Sequence, residues 1–118
     1  MENTLESLTE RLIEFRDARD WKQFHSLKNL MASVTIEAAE LLELTQWKDD
    51  SEIEAMAGDP DFREKLSREC ADVFIYLLLV AERADIDLLR AAAEKIDLND
   101  AKYPVEKSRG NARKYTEL

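Results

Sequence analysis

The chain has 118 residues, 45% of them hydrophobic, which suits one globular domain with a modest core and excludes a disordered acidic tail. Its net charge of −9 is uneven: residues 101–118 hold five cations and two acids, leaving +3 there and −12 on the rest, a body that disfavours sequence-independent binding to nucleic acid. Two Gly, two Pro and an abundance of Ala, Leu, Glu, Lys and Arg predict few, long helices, an all-α fold. The longest apolar run, Val73 to Ala81, is nine residues and too short to span a bilayer, so no membrane segment is expected. The polar start Met-Glu-Asn-Thr shows no signal peptide, and the lone Cys70 points to a reducing cytoplasm.

In chain order, residues 5–19 place Leu5, Leu8, Leu12, Ile13 and Phe15 at helical spacing behind Thr4 as N-cap, and Asp17 to Trp21 read as a break. Residues 23–47 predict the next helix, striped by Leu27, Leu30, Met31, Val34, Ala38, Leu41 and Thr45. Residues 48–61, with Gly58-Asp59-Pro60, predict a connection with room for a short helical turn. A third helix is expected from Phe62 to Arg83, its second half apolar on every side and so buried all round. Asp85 or Asp87 would cap a fourth helix ending near Asp100, and the basic tail 105–118 has no periodicity, as in a segment that is mobile or docked on a neighbour. Four helices with an all-round apolar third one offer more hydrophobic surface than a small bundle covers, which predicts a homo-oligomer.

Two carboxylate pairs carry the chemistry. Glu37/Glu40 and Glu69/Asp72 share a three-residue step, which puts each pair on one face of a helix. Glu37 belongs to the stripe of Leu30, Leu41 and Leu44, and Glu69 to that of Leu66, Val73, Tyr76 and Val80. If those stripes pack, four acids converge where a core should be, and such a cluster needs cations. The rival reading is a solvated face, because 26 acids make chance pairs common; Glu43, paired with Glu40 at the same step, reads as solvated. Oxygen-only ligands favour Mg²⁺, with Mn²⁺ as the alternative, over zinc, and Mg²⁺ on carboxylates commonly holds phosphates. A ferritin-like di-iron centre needs Glu-x-x-His twice, and the only histidine, His25, is not three residues after a Glu. Trp21 in a polar break and Trp47 at a helix end either seal helix termini or stack on a base. His25 by itself reads as a hydrogen-bonded surface residue.

The ordered set Arg19-Asp20-Trp21-x-Gln23-Phe24-His25, Lys28-Asn29-Leu30, Glu37-x-x-Glu40-Leu41-x-Glu43-x-x-Gln46-Trp47 and Glu69-x-x-Asp72-Val73-x-Ile75-Tyr76-Leu77 resembles the MazG-like nucleotide pyrophosphohydrolases. Lys95-Ile96-Asp97-x-Asn99, Lys102-Tyr103-Pro104, Ser108-Arg109-Gly110 and Arg113-Lys114-Tyr115 are similar to its dCTP pyrophosphatase branch, so the resemblance covers nearly the whole chain from Leu12. It implies a single four-helix domain over residues 1–118, assembled as a dimer or a dimer of dimers, that hydrolyses a (deoxy)nucleoside triphosphate to the monophosphate and pyrophosphate. By position, Glu37, Glu40, Glu69 and Asp72 would ligate Mg²⁺ and serve catalysis. Trp21, His25, Trp47, Tyr76, Asn99 and Tyr103 would line the nucleotide pocket, and Lys28, Arg109, Arg113 and Lys114 would meet phosphates. The chain departs from the branch's mammalian members at Leu12, near which they have a base-reading histidine, so the base stays open. The alternative function is a non-catalytic, nucleotide-binding oligomerisation or regulatory module.

Overall fold

In the computed structural model, which describes residues 2–118, six α-helices and two 3-10 turns make up the regular structure. They are α1 (Leu5–Ala18), α2 (Leu27–Glu43), α3 (Asp50–Met56), α4 (Pro60–Arg83), α5 (Leu88–Lys102) and α6 (Val105–Ser108). The described residues contain no strand, so the all-α expectation holds, and four of the helices are long.

Short polar side chains start the helices. Thr4 and Ser7 form a reciprocal capping box, each side-chain oxygen accepting from the other's backbone N–H at 3.0 and 2.8 Å. Ser26, Asp49, Asp59 and Asp87 each accept a backbone N–H in the first turn of α2, α3, α4 and α5. α1 ends in a left-handed residue, Asp20 with φ 55°: the Trp21 and Asp20 amides donate back to the carbonyls of Arg16 and Asp17 at 3.0 and 3.1 Å. Trp21 is thereby fixed by the backbone closure of α1.

The boundaries correct the sequence in several places. α2 starts at Leu27 rather than 23, because a 3-10 turn over Lys22–Phe24 and the Ser26 cap intervene, and it ends at Glu43 before a turn that reaches Trp47. The 48–61 connection holds a full helix, α3, nucleated by Asp49. α4 begins at Pro60, whose fixed φ and missing N–H suit the first helical position, not at Phe62. The tail contains α6 and a 3-10 turn, Tyr115–Glu117, where no periodicity was visible.

The chain divides into two compact units, one running to Asp85 and the other Ile86–Leu118. The first is organised by α2 against α4, with α1 also on α4. The α2–α4 pair is antiparallel: Leu41 and Leu44 share a groove with Phe62 and Leu66, and Leu30 meets Leu79 at the other end. Leu30, Phe62, Leu78, Leu79 and Ala81 form the buried core. Burial of the second half of α4 on all sides is not found: Phe74 and Leu77 stay 38% and 37% exposed, since α1 and α2 cover only two of its faces in a single chain. In the second unit, Tyr103 packs edge-on against Tyr115 with ring centroids 6.2 Å apart, and the Lys102 ammonium lies 4.9 Å from the Tyr115 ring.

Candidate metal centre and its cleft

The antiparallel register of α2 and α4 brings the two carboxylate pairs to the middle of their seam. Glu37, Glu40 and Glu69 each offer a carboxylate oxygen within 4.8 Å of the others. Asp72 lies beside them: it lines the same cleft as Glu37, and its charge acts on both Glu37 and Glu69. Glu37 and Glu69 are half-buried, and one oxygen of each, Oε2, is buried without a hydrogen-bond partner. Burial pushes the Glu37 carboxyl above its ordinary value, and contact with Glu40 and the charges of Asp72 and Glu69 add to the shift. Burial likewise raises Glu69, followed by the charges of Glu40, Asp72 and Glu43. Glu43, read from the sequence as solvated, is exposed but close enough to burden Glu69.

Clustered acids with orphaned inward oxygens, and no ion pair to them among the described residues, are a donor set that could hold a hard divalent ion. The residues present fit the group that the sequence implied.

Next to the acids a cleft of about 470 Å³ opens between α1 and α4. Its lining includes the acids Glu37 and Asp72 and the rings of Phe15, Trp21, His25, Phe74 and Tyr76. Trp21 stands edge-on to Phe15 at 5.7 Å, while the Arg19 guanidinium covers Phe15 at 3.6 Å from the ring centre. His25 has its Nδ1 buried without a partner, and burial, reinforced by the charge of Arg16, holds its pKa below the ordinary value. The surface-histidine reading of His25 therefore gives way to a cleft residue.

Of the sequence-derived substrate contacts, Trp21, His25 and Tyr76 meet in this cleft. Trp47 does not join it; it is 92% exposed, on a backbone with φ 66° that a bulky side chain rarely adopts. Lys28 is exposed in the first turn of α2 and is not part of the cleft lining. Asn99, Tyr103, Arg109, Arg113 and Lys114 belong to the second unit, all on its exposed surface. Sequence reasoning missed Arg16, the one buried charged residue of the described chain, which also lines the cleft. Its spacing was a usable signal, because a step of four from Leu12 continues the Leu5–Leu8–Leu12 stripe of α1.

The chain is similar to known proteins along most of its length. Residues 32–118 match the model of the MazG-like family. The chain is 46% identical over 117 residues to dCTP pyrophosphatase 1 of Rattus norvegicus and 43% identical to that of Homo sapiens, covering 99% of this chain and 69% of each relative. A solved pyrophosphatase from Archaeoglobus fulgidus superposes with a TM-score of 0.77 at 40% identity, over 88% of this chain and 95% of that one. With the family model spanning most of the chain, and relatives this similar along nearly all of it, the chain belongs to the MazG-like family.

Proposed function

We propose that the α2–α4 carboxylates hold Mg²⁺ for the hydrolysis of a deoxynucleoside triphosphate, with dCTP the leading candidate, to the monophosphate and pyrophosphate. The chain is a nucleotide pyrophosphohydrolase of its family, a hydrolase of acid anhydrides. The observation that carries the metal assignment is the convergence of Glu37, Glu40 and Glu69 from two helices, with buried unpartnered oxygens, beside an aromatic cleft. Asp72 completes the set.

When bound, Mg²⁺ would neutralise triphosphate charge and acidify a water for attack on phosphorus. The chain's own residues support this reading. Glu37 and Asp72 line the cleft with Glu40 and Glu69 close behind them, and such a set repels a polyphosphate unless its charge is matched. Burial, with the repulsion of neighbouring acids, raises Glu37 and Glu69, so without a cation the cluster holds protons more readily than isolated carboxylates do, and a bound cation would relieve that conflict. Trp21 and Tyr76, in the cleft, give the base an aromatic wall, and His25 offers it a hydrogen bond. Lys28, Arg109, Arg113 and Lys114 remain candidates for phosphate, and Trp47, Asn99 and Tyr103 for the rest of the nucleotide. The wide apolar exposure of single chains supports assembly as a homodimer or homotetramer, in which such groups would be brought to a shared site. A reducing cytoplasm suits the unpaired Cys70.

The test is pyrophosphate release from dCTP by purified Glu40→Gln and Asp72→Asn variants. Each is expected to lose about two orders of magnitude or more in kcat with its melting temperature held, and EDTA should abolish wild-type turnover. Full activity in either variant or in EDTA would sink the reading. Mg²⁺-dependent dCTP binding with no turnover in the wild type would return the regulatory-module alternative.

A further inference from the structure

A charge lies in the cleft that carboxylate chemistry does not use. Arg16 is 7% exposed, on the α1 face that also brings Leu8 and Leu12 to the cleft. Its Nε donates to Asp17 Oδ1 at 2.8 Å, which holds the Asp17 carboxyl below its ordinary range. Its Nη1 lies 3.7 Å from Glu82 Oε2 on α4, too far for a hydrogen bond. Neither Nη nitrogen donates a hydrogen bond to any described residue, although a guanidinium carries five N–H donors. With His25 and Leu79, Arg16 lines two spaces: the aromatic cleft, which also holds Trp21 and Tyr76, and a polar hollow of about 570 Å³ with Lys22, Glu82 and Arg83. An internal clamp between α1 and α4 would account for the Glu82 approach. It does not use the Nη edge, which donates to no described residue, is open to solvent, and belongs to a side chain that lines the aromatic cleft, so a ligand there can take the place of water.

We infer that Arg16 determines base specificity: its free guanidinium edge takes two adjacent acceptor atoms on the base of the bound nucleotide. The proposal rests on the cleft being the nucleotide pocket and deepens that reading. A guanidinium fork is a rigid pair of parallel donors, and only some base edges match it. Cytosine presents O2 and N3 side by side, and guanine presents O6 and N7, each a pair of acceptors. Uracil and thymine place an N3–H donor between their carbonyls, which opposes the fork, and adenine sets an amino donor beside N7. Trp21 is tied to Arg16 through the backbone, since its amide donates to the Arg16 carbonyl, so the aromatic wall and the fork form one rigid unit at the end of α1. Leu12, one turn earlier on the same face, contributes only apolar surface; besides the acids, the cleft's polar groups are Arg16, His25, Tyr76 and the exposed Arg11, of which Arg16 alone is a buried charge.

The experiment compares dCTP with dUTP at saturating Mg²⁺ in the wild type, Arg16→Lys and Arg16→Gln. Lysine keeps the charge for Asp17 and Glu82 but loses the fork, so it covers the case in which Arg16→Gln fails to fold. The dCTP-over-dUTP ratio of kcat/KM is expected to fall about tenfold or more in Arg16→Lys, through a higher KM for dCTP with dUTP little changed. An equal loss for both nucleotides, leaving the ratio as it was, means a structural clamp and overturns the inference. Calorimetric binding of dCMP and dUMP without metal reads the same contact with no turnover, so it stands even if the proposed reaction fails. A wild-type preference for dCMP that Arg16→Lys removes supports the inference; no preference, no binding of dCMP, or a preference that survives the substitution overturns it.

Discussion

Glu37 and Glu69 concentrate the electrostatic conflict of the chain: each is half-buried, each has an oxygen without a partner, and each titrates above the ordinary 4.5 because of burial and neighbouring acids. An acid whose folded pKa is raised adds stability that is full below the unfolded value and is lost as pH rises through the folded one. In EDTA the melting temperature should therefore fall as pH climbs from 4.5 through the raised pKa values. His25, with its lowered pKa, acts in the opposite sense, its contribution being lost as pH falls. Calorimetry of Glu37→Gln beside the wild type separates them: the variant should show a shallower decline, and saturating Mg²⁺ should flatten the wild-type curve. Parallel curves would remove the repulsion account. At this scale Glu37 and Glu69 were legible in the sequence because each broke an apolar stripe, and Glu40 and Asp72 because each follows one of them by the same three-residue step. Arg16 broke a stripe too, but a cation at the end of a stripe reads as a snorkelling side chain, and only the packing of α1 on α4 shows it enclosed.

Among the elements, α4 carries most of the fold, with 24 residues, four of the buried positions and half of the acid cluster. Leu78, 3% exposed, faces the first unit's core, and Leu77, one residue back, is 37% exposed. Leu78→Ala should cost about 2–5 kcal/mol by chemical denaturation. Leu77→Ala should cost clearly less where the chain is monomeric, and similar losses in both would contradict this division of the helix. Some caps were legible in the sequence. Thr4, and Asp87 as one of two candidates, initiate helices because a short side chain can reach a free N–H in the first turn. Ser26, Asp49 and Asp59 do the same without having been read as caps. The failures were short elements: α3 has only seven residues and α6 four, too few for a hydrophobic period to be read. The extended reading of α2 failed for a related reason, since the turn around Trp47 follows apolar residues that preserve the helical spacing while the backbone leaves it.

For the whole molecule, the exposed apolar groups decide what to expect in solution. Phe74 and Leu77 on α4, and Leu89, Ile96 and Leu98 on α5, the last three 58–67% exposed, are more apolar surface than isolated positions would explain. Light scattering should return twice or four times the 13.7 kDa chain mass, and Ile96→Glu should lower it; a wild-type monomer at micromolar concentration would sink the homo-oligomer reading. No helix of the described residues is long and apolar enough to cross a membrane. The sequence by itself determined the helical class, the Thr4 cap, the two acid pairs and the family, because these depend on residue type and spacing along the chain. Only the tertiary structure decided that the pairs meet, that Trp21, His25 and Tyr76 share their cleft while Trp47 stands apart, and that Arg16 is enclosed beside them. Those facts depend on the antiparallel register of α2 on α4 and on the closure of α1, where residues distant in the chain come within interaction range.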